Sequence, residues 1–380
     1  MSETVHAFYF PTTILFGAGA IKKLTSELKS RGCERPFVVT DSGVVRQPFF
    51  ETIMTELKKA GYNPAVYSEV HANPIESDVV GGTKLCLENR ADWIIAIGGG
   101  SPMDASKAIA LKACAEGSLF DYTEMGNKSV PENVLPIAAI PTTAGTGSEV
   151  GRSAVIGEDR TGIKHVVFSP RLLPKFVVAD PELTLNLPPS ITAATGMDAM
   201  THNVEAYLAK GFHPICDGVA LEGTRYASKY LERAVKNGKD MEARSGMMLS
   251  AMMGAIAFQK GLGVNHSMAH PLTTVAGIPH GTANALCLPT TLTFNKEVRR
   301  DRLETLATHS GLEDRTAEGF ITFMKKLTAA IGIPPRLRDA GVKEEMMGRL
   351  VDLAVQDVCQ LENPRPVTRQ DFERMYREIF

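Results

Sequence analysis

Little in this chain is in excess. Its 380 residues carry 41 Lys and Arg against 43 Asp and Glu, a formal net charge of −2, with no run of one sign. That balance supplies no field for nucleic acid or an anionic membrane surface, so neither is expected as a partner. No apolar run reaches membrane-spanning length, and Trp93 to Ile97 is typical in being strand-sized. The opening Met1-Ser-Glu-Thr4 is polar and lacks the basic and apolar regions of a signal peptide. Six cysteines, at 33, 86, 114, 216, 287 and 359, form no C-x-x-C pair. In a chain this long they read as reduced, mostly buried thiols, and a cytoplasmic protein is expected. Solenoid repeats and low-complexity blocks are also missing. What is there, 44% hydrophobic and 22% charged residues, suits a soluble enzyme long enough for two cores.

Strand and helix signals alternate through the first half. Short β-rich runs at 8–16, 36–40, 65–67, 91–97 and 135–140 are separated by helical spacing over 20–28, 49–60 and 75–89. Such alternation predicts a mostly parallel sheet covered on both faces. Beyond Asp180-Pro181 and Leu187-Pro188-Pro189 strand signals nearly vanish. Apolar residues there recur at three and four over 192–208, 216–235, 241–258, 264–275 and 316–331. The expectation is an α/β unit over 1–185 and an all-helical unit over 186–380.

Two loops in the first half suit an anionic ligand. Gly98-Gly99-Gly100-Ser101 follows the most apolar strand and opens a helix, where bare backbone N–H groups and the positive helix end can meet a pyrophosphate. Ser101 can cap or donate, and Asp104 falls in the first turn. The pattern is not G-x-G-x-x-G, so the ordinary Rossmann inference does not transfer. The second loop, Pro141-Thr142-Thr143-Ala144-Gly145-Thr146-Gly147-Ser148, sets four hydroxyls and two glycines in eight residues. Either alone reads as a tight turn; both, after strands of one sheet, point to one shared ligand. Asp41 ends the 36–40 strand, where a carboxylate accepts from ribose hydroxyls and repels a 2′-phosphate, favouring NAD over NADP.

The second half concentrates histidine. His266 and His270 are four apart, His280 follows Pro279, and Asp198 and His202 are again four apart, so each helical pair shares a face. Singly these are helix-face polar residues or stabilising core histidines; jointly, an Asp with two or three imidazoles suits a divalent transition metal. Spacing leaves open which of the three later histidines binds. Four protein ligands suffice, so one imidazole is free to carry a proton.

Together these segments resemble the iron-activated (group III) alcohol dehydrogenases. The similarity runs from Phe10-Pro-Thr-Thr-Ile-Leu-Phe-Gly17 to Asn363-Pro-Arg-Pro366, through the two glycine loops, Ala194-Thr-Gly-Met-Asp-Ala-Met-Thr-His202, His266-Ser-Met-Ala-His270 and Pro279-His-Gly-Thr-Ala-Asn284. It implies a Rossmann-like dinucleotide domain and a helical metal domain in a dehydroquinate synthase-like arrangement, with a cleft between them. It implies Asp198, His202, His266 and His280 as ligands of one divalent ion, iron or else zinc, with His270 beside the metal as proton carrier. NAD(H) contacts are implied at Asp41, Asn73, Gly98, Gly99, Gly100, Ser101, Asp104, Thr142, Thr143, Thr146, Ser148, Lys164 and Leu183, the last two on the resemblance alone. Phe258 is implied as a substrate-pocket wall, and a homodimer or larger homo-oligomer is expected.

The sequence departs from the family pattern at Asn265, where a small or aliphatic residue is usual, and at Thr273-Thr274, where glycine is common. A pocket of Phe258, Val264, Met268 and Leu272 would take a short primary alcohol or aldehyde. Arg152 offers an alternative, a carboxylate or sulfonate on a semialdehyde. A non-redox enzyme of the dehydroquinate synthase kind would need several cations around a phosphorylated substrate, yet 190–208 and 261–290 contain no Lys or Arg. A metal-dependent hydrolase is a third reading, with the glycine loops merely structural.

Overall fold

A computed structural model describes residue 10 and residues 12–123 and 126–380. The chain opens through β1 (Thr13–Phe16), α1 (Leu24–Ser30), β2 (Pro36–Val39), α2 (Ser42–Val45), α3 (Pro48–Lys59), β3 (Ala65–Tyr67), α4 (Glu76–Glu88), β4 (Trp93–Gly98) and α5 (Gly100–Lys112). It continues through β5 (Ile137–Pro141), β6 (Ser153–Gly157), β7 (Lys164–Phe168) and β8 (Phe176–Ala179). No strand follows among the described residues. The helices are α6 (Pro189–Leu208), α7 (Pro214–Lys236), α8 (Met241–Ala257), α9 (Val264–Ala276), α10 (His280–Asn295), α11 (Arg300–His309), α12 (Ala317–Ala330), α13 (Met347–Gln356) and α14 (Arg369–Ile379). No single described helix is long and apolar enough to cross a membrane.

Six strands form one parallel sheet in the order β1-β8-β5-β4-β2-β3. Every residue of β2, β4, β5 and β8 is buried, which is why their sequences read as unbroken apolar runs without alternation. Alternation survives in which face each residue serves. Phe37, Val39, Ile94 and Ala96 join a core that runs on into Met197, Met200 and Val204 of α6. Val38, Ile95 and Ile97 meet Leu24, Leu28, Ile53 and Leu57 of α1 and α3 on the other side. From β2 the chain steps outward to β3, and from β4 it steps the opposite way to β5. The order therefore reverses between β2 and β4, and a ligand crevice belongs outside their carboxyl ends.

The architecture is the expected α/β sheet followed by helices. Phe8, Tyr9 and Pro11 of the first predicted strand lie outside the described residues. Periodicity missed α11, α13 and α14, and three further features escaped it. The antiparallel β6–β7 hairpin stands apart from the main sheet, β8 is only four residues long, and α10 carries Pro289 and buries nearly every side chain, leaving no polar face to mark it as a helix.

Candidate active site

The two glycine loops lie side by side because β4 and β5 are adjacent. A Cβ on Gly99 would stand 3.1 Å from Thr143 Oγ1, and one on Gly100 would stand 2.7 Å from Thr146 Oγ1. The threonine hydroxyls thus rest on bare backbone at the start of α5, where only glycine leaves room. Gly147 has φ +63° and presses the second loop on α8, where a Cβ would fall 2.4 Å from that of Ala255. This loop therefore lies between the sheet and the helices.

The other expected nucleotide contacts are placed unequally. Asp41 Oδ1 accepts from Gly43 N (2.7 Å) and Val44 N (2.9 Å), capping α2 at the β2–β4 reversal. Asn73 Oδ1 accepts from Lys164 Nζ at 2.9 Å across 91 residues. Ser101 does not cap α5; its hydroxyl donates to the Ala72 carbonyl at 2.6 Å. Asp104 accepts from Ser148 Oγ (2.6 Å) and Val155 N (3.0 Å), while the fully buried Lys107 donates to Ser148 Oγ and to the Ser153 carbonyl, both at 2.7 Å. Asp104 and Ser148 are thus engaged beneath the loops, tying α5 to the hairpin. Thr142 is buried, and Leu183 packs in the apolar cluster with Ile97 and Ile140.

Across the cleft, Asp198 and His202 project from one face of α6, His266 from the first turn of α9, and His280 from the first residue of α10. Each offers one donor atom, and the four atoms lie within 4.8 Å of one another. His202 Nε2 and His280 Nε2 stand 3.7 and 3.4 Å from Asp198 Oδ1. The His202 and His266 rings stack at 4.9 Å. Burial lowers His202 and His266, the latter well below the usual histidine range, and pulls His280 down to about 4. Three neutral imidazoles and a carboxylate facing one point fit a divalent cation. Close packing fixes the arrangement, since a Cβ on Gly281 would come 1.9 Å from the Ala194 carbonyl oxygen.

The structure adds residues that sequence reading passed over. Glu205, buried on the Asp198–His202 face of α6, accepts from His266 Nδ1, Asn265 N (2.8 Å) and His266 N (3.3 Å). This leaves His266 Nε2 as the donor atom and caps α9. Its i, i+4, i+7 spacing from Asp198 was a usable signal. Burial pushes the Glu205 carboxyl up to about 8. Asn265, the departure from the family pattern, donates to Asn284 Oδ1 (3.0 Å) and the Asn284 carbonyl (3.3 Å), and Asn284 Nδ2 donates to Asp198 Oδ1 (2.9 Å). Because the backbone carbonyl and the carboxylate only accept, both amides are oriented.

His270 stands apart from the four-atom cluster. Its ring stacks on His280 at 5.3 Å and its Nδ1 pairs with Asp357 Oδ2 at 2.7 Å. Asp357 also accepts from Ser267 Oγ (2.8 Å) and Cys359 N (2.9 Å). Burial would raise the Asp357 carboxyl, but these partners, His270 foremost, hold it down at about 2. Phe258 meets the His202 ring edge-on at 5.1 Å and helps line a cavity of about 390 Å³ with Arg152, Phe168, Gln259, Leu262 and Cys359. The expected pocket needs correction here. Val264, Met268 and Leu272 are fully buried in the core, on the face of α9 opposite His266 and His270. Hollows of about 410 and 640 Å³ elsewhere hold none of the expected site residues.

A parallel sheet with paired glycine loops, facing an Asp/His cluster on helices, defines a dehydrogenase-type site joining a dinucleotide cleft to a metal centre. The profile of the iron-containing alcohol dehydrogenases matches residues 11–181, and that of the Fe-containing alcohol dehydrogenase family, C-terminal part, matches 192–380. Alcohol dehydrogenase 4 of Schizosaccharomyces pombe is 39% identical over 98% of this chain and 89% of its own length. The 4-hydroxybutyrate dehydrogenase of Cupriavidus necator is 40% identical over 97% of this chain and 98% of its own. Among solved structures, a 1,3-propanediol oxidoreductase superposes with TM-score 0.94 at 34% identity, covering 99% of this chain and 100% of that one. The sulfoacetaldehyde reductase of Bifidobacterium kashiwanohense, in complex with NAD+, gives 0.92 at 30% identity and 99% of both chains. The chain belongs to the iron-containing alcohol dehydrogenase family. It is an oxidoreductase of the alcohol dehydrogenase type, which sets aside the lyase and hydrolase readings.

Proposed function

We propose that this enzyme interconverts a short primary alcohol and its aldehyde with NAD(H), using one divalent ion, iron or else zinc, held by Asp198, His202, His266 and His280. The convergence of those four donors across from the glycine loops carries the reading. When bound, the ion supplies Lewis acidity toward the substrate oxygen, and the nicotinamide gives or takes the hydride. The protein's own work is orientation and proton handling. The Gly98–Ser101 turn, Thr143 and Thr146 receive the pyrophosphate, Asn73 and Lys164 flank it, and Asp41 receives the ribose through Oδ2, Oδ1 being occupied by the α2 cap. His270 donates its Nδ1–H to Asp357, which leaves Nε2 to accept the alcohol proton. With 41% of its side chain exposed, His270 can pass that proton to solvent. Phe258 screens His202 and bounds the substrate cavity.

Arg152 in the same cavity supports a second reading, an anionic ω-hydroxy acid or semialdehyde; its guanidinium stacks on Phe168 at 4.9 Å. The naming of two similar proteins for 4-hydroxybutyrate and sulfoacetaldehyde agrees with it. A division into units over 1–185 and 186–380, a homodimer and a cytoplasmic setting complete the proposal. Six free thiols and the exposed apolar Phe168, Val358 and Leu361 support the last two. The test is an NADH-oxidation screen of short aldehydes and semialdehydes on protein reconstituted separately with ferrous and zinc ions. Turnover of neutral aldehydes unaffected by Arg152→Ala supports the first reading. A semialdehyde preference lost in Arg152→Ala supports the second, and no nucleotide-linked turnover refutes both.

A further inference from the structure

We propose that the chain carries a second, inhibitory transition-metal site, formed by His270, Asp357 and Cys359 and suited to zinc. These three side chains each offer one ligand atom, and the atoms lie within 4.8 Å of one another, a cluster distinct from the Asp198–His280 set. His270 comes from α9, and Asp357 and Cys359 from the turn that ends α13. Asp357 is already fixed in place by Ser267 Oγ and Cys359 N. Ions can reach the cluster: the His270 side chain is 41% exposed and that of Asp357 16%, and Cys359 lines the substrate cavity.

The donor chemistry differs from that of the first site. Thiolate, imidazole and carboxylate make a softer set, and their two negative charges match a dication, with water as the fourth ligand of a tetrahedron. Zinc uptake is balanced as follows. The Cys359 thiol loses its proton to solvent and the sulfur binds zinc. The His270 ring proton moves from Nδ1 to Nε2, and Nδ1 binds in its place. Asp357 exchanges the imidazole N–H for the metal. One proton is released per zinc, and no electrons move. Nε2 then bears hydrogen and can no longer accept one from an alcohol, so the proton relay stops while the first metal stays.

Binding at the second site is independent of the proposed function; the inhibition rests on it. The experiment titrates iron-loaded enzyme with zinc while metal content and NADH turnover are followed together. Expected are one retained iron, one added zinc per chain, and a parallel loss of rate that a mild chelator reverses. Cys359→Ser, referred to its own zinc-free rate, should need roughly a hundredfold more zinc. Cobalt added to the iron-loaded wild type should give a thiolate-to-metal charge-transfer band that Cys359→Ser lacks. The site is refuted if zinc enters only as iron leaves, if no second metal binds, or if Cys359→Ser is inhibited at the wild-type concentration. Zinc bound through Cys359 with full activity would keep the site but overturn the inhibition, and with it the relay assigned to His270.

Discussion

Replacing Glu205 by Gln tests whether the metal centre depends on a residue that never touches the metal. The carboxylate collects His266 Nδ1 and the backbone N–H groups of Asn265 and His266. A glutamine amide has one accepting oxygen, so its NH2 must face one of these donors. Hydrogen bonds worth ~0.5–1.5 kcal/mol each are disturbed, and a buried donor left unpaired costs ~1–3 kcal/mol of stability. His266 also loses the bond that fixes its ring and tautomer, which ordinarily weakens metal binding about 10–100-fold, or ~1.4–2.7 kcal/mol. Chelator competition with zinc measures the affinity, and denaturant unfolding of the metal-free protein measures the stability. Affinity within about twofold of wild type, with His266→Ala losing the metal, would refute the orienting role.

Gly281→Ala drives a Cβ to within 1.9 Å of the Ala194 carbonyl oxygen, so α10 must shift and carry His280 with it. Overpacking of this kind should cost about 1–3 kcal/mol in unfolding experiments and weaken metal retention. Asp41→Gly should cut the preference for NADH over NADPH about tenfold, read as the ratio of kcat/KM values; the lost α2 cap should cost only ~0.3 kcal/mol, because glycine is a tolerated cap. Asp357 sits at about 2, below its ordinary 3.8, so its contribution is present above that ordinary value and disappears as pH falls toward 2. The stability gap between wild type and Asp357→Asn, ~2 kcal/mol at neutral pH, should therefore close between about pH 4 and pH 2 in denaturant titrations. A gap independent of pH would disprove the hydrogen bonds that hold Asp357 ionised.

The sequence alone was enough for the strand–helix alternation, the two glycine loops and the Asp198, His202, His266, His270 and His280 candidates, though not for choosing among the last three, because each of these signals writes itself locally. A buried parallel strand is a run of apolar residues, a phosphate turn is glycine beside a helix start, and paired ligands on one helix stand four apart. It did not determine what those residues face. Asp104 and Ser148 lie in a phosphate-like context by sequence, yet folding brings Lys107 and the β6–β7 hairpin against them and occupies their oxygens. Val264, Met268 and Leu272 share a helix with two active-site histidines but point into the core, since α9 has two faces and only packing chooses between them. Glu205, Asn284 and Asp357 meet His266, Asp198 and His270 across 61, 86 and 87 residues. Contacts that distant leave no periodic trace in the chain; they exist only because α6, α9, α10 and the end of α13 pack around one point.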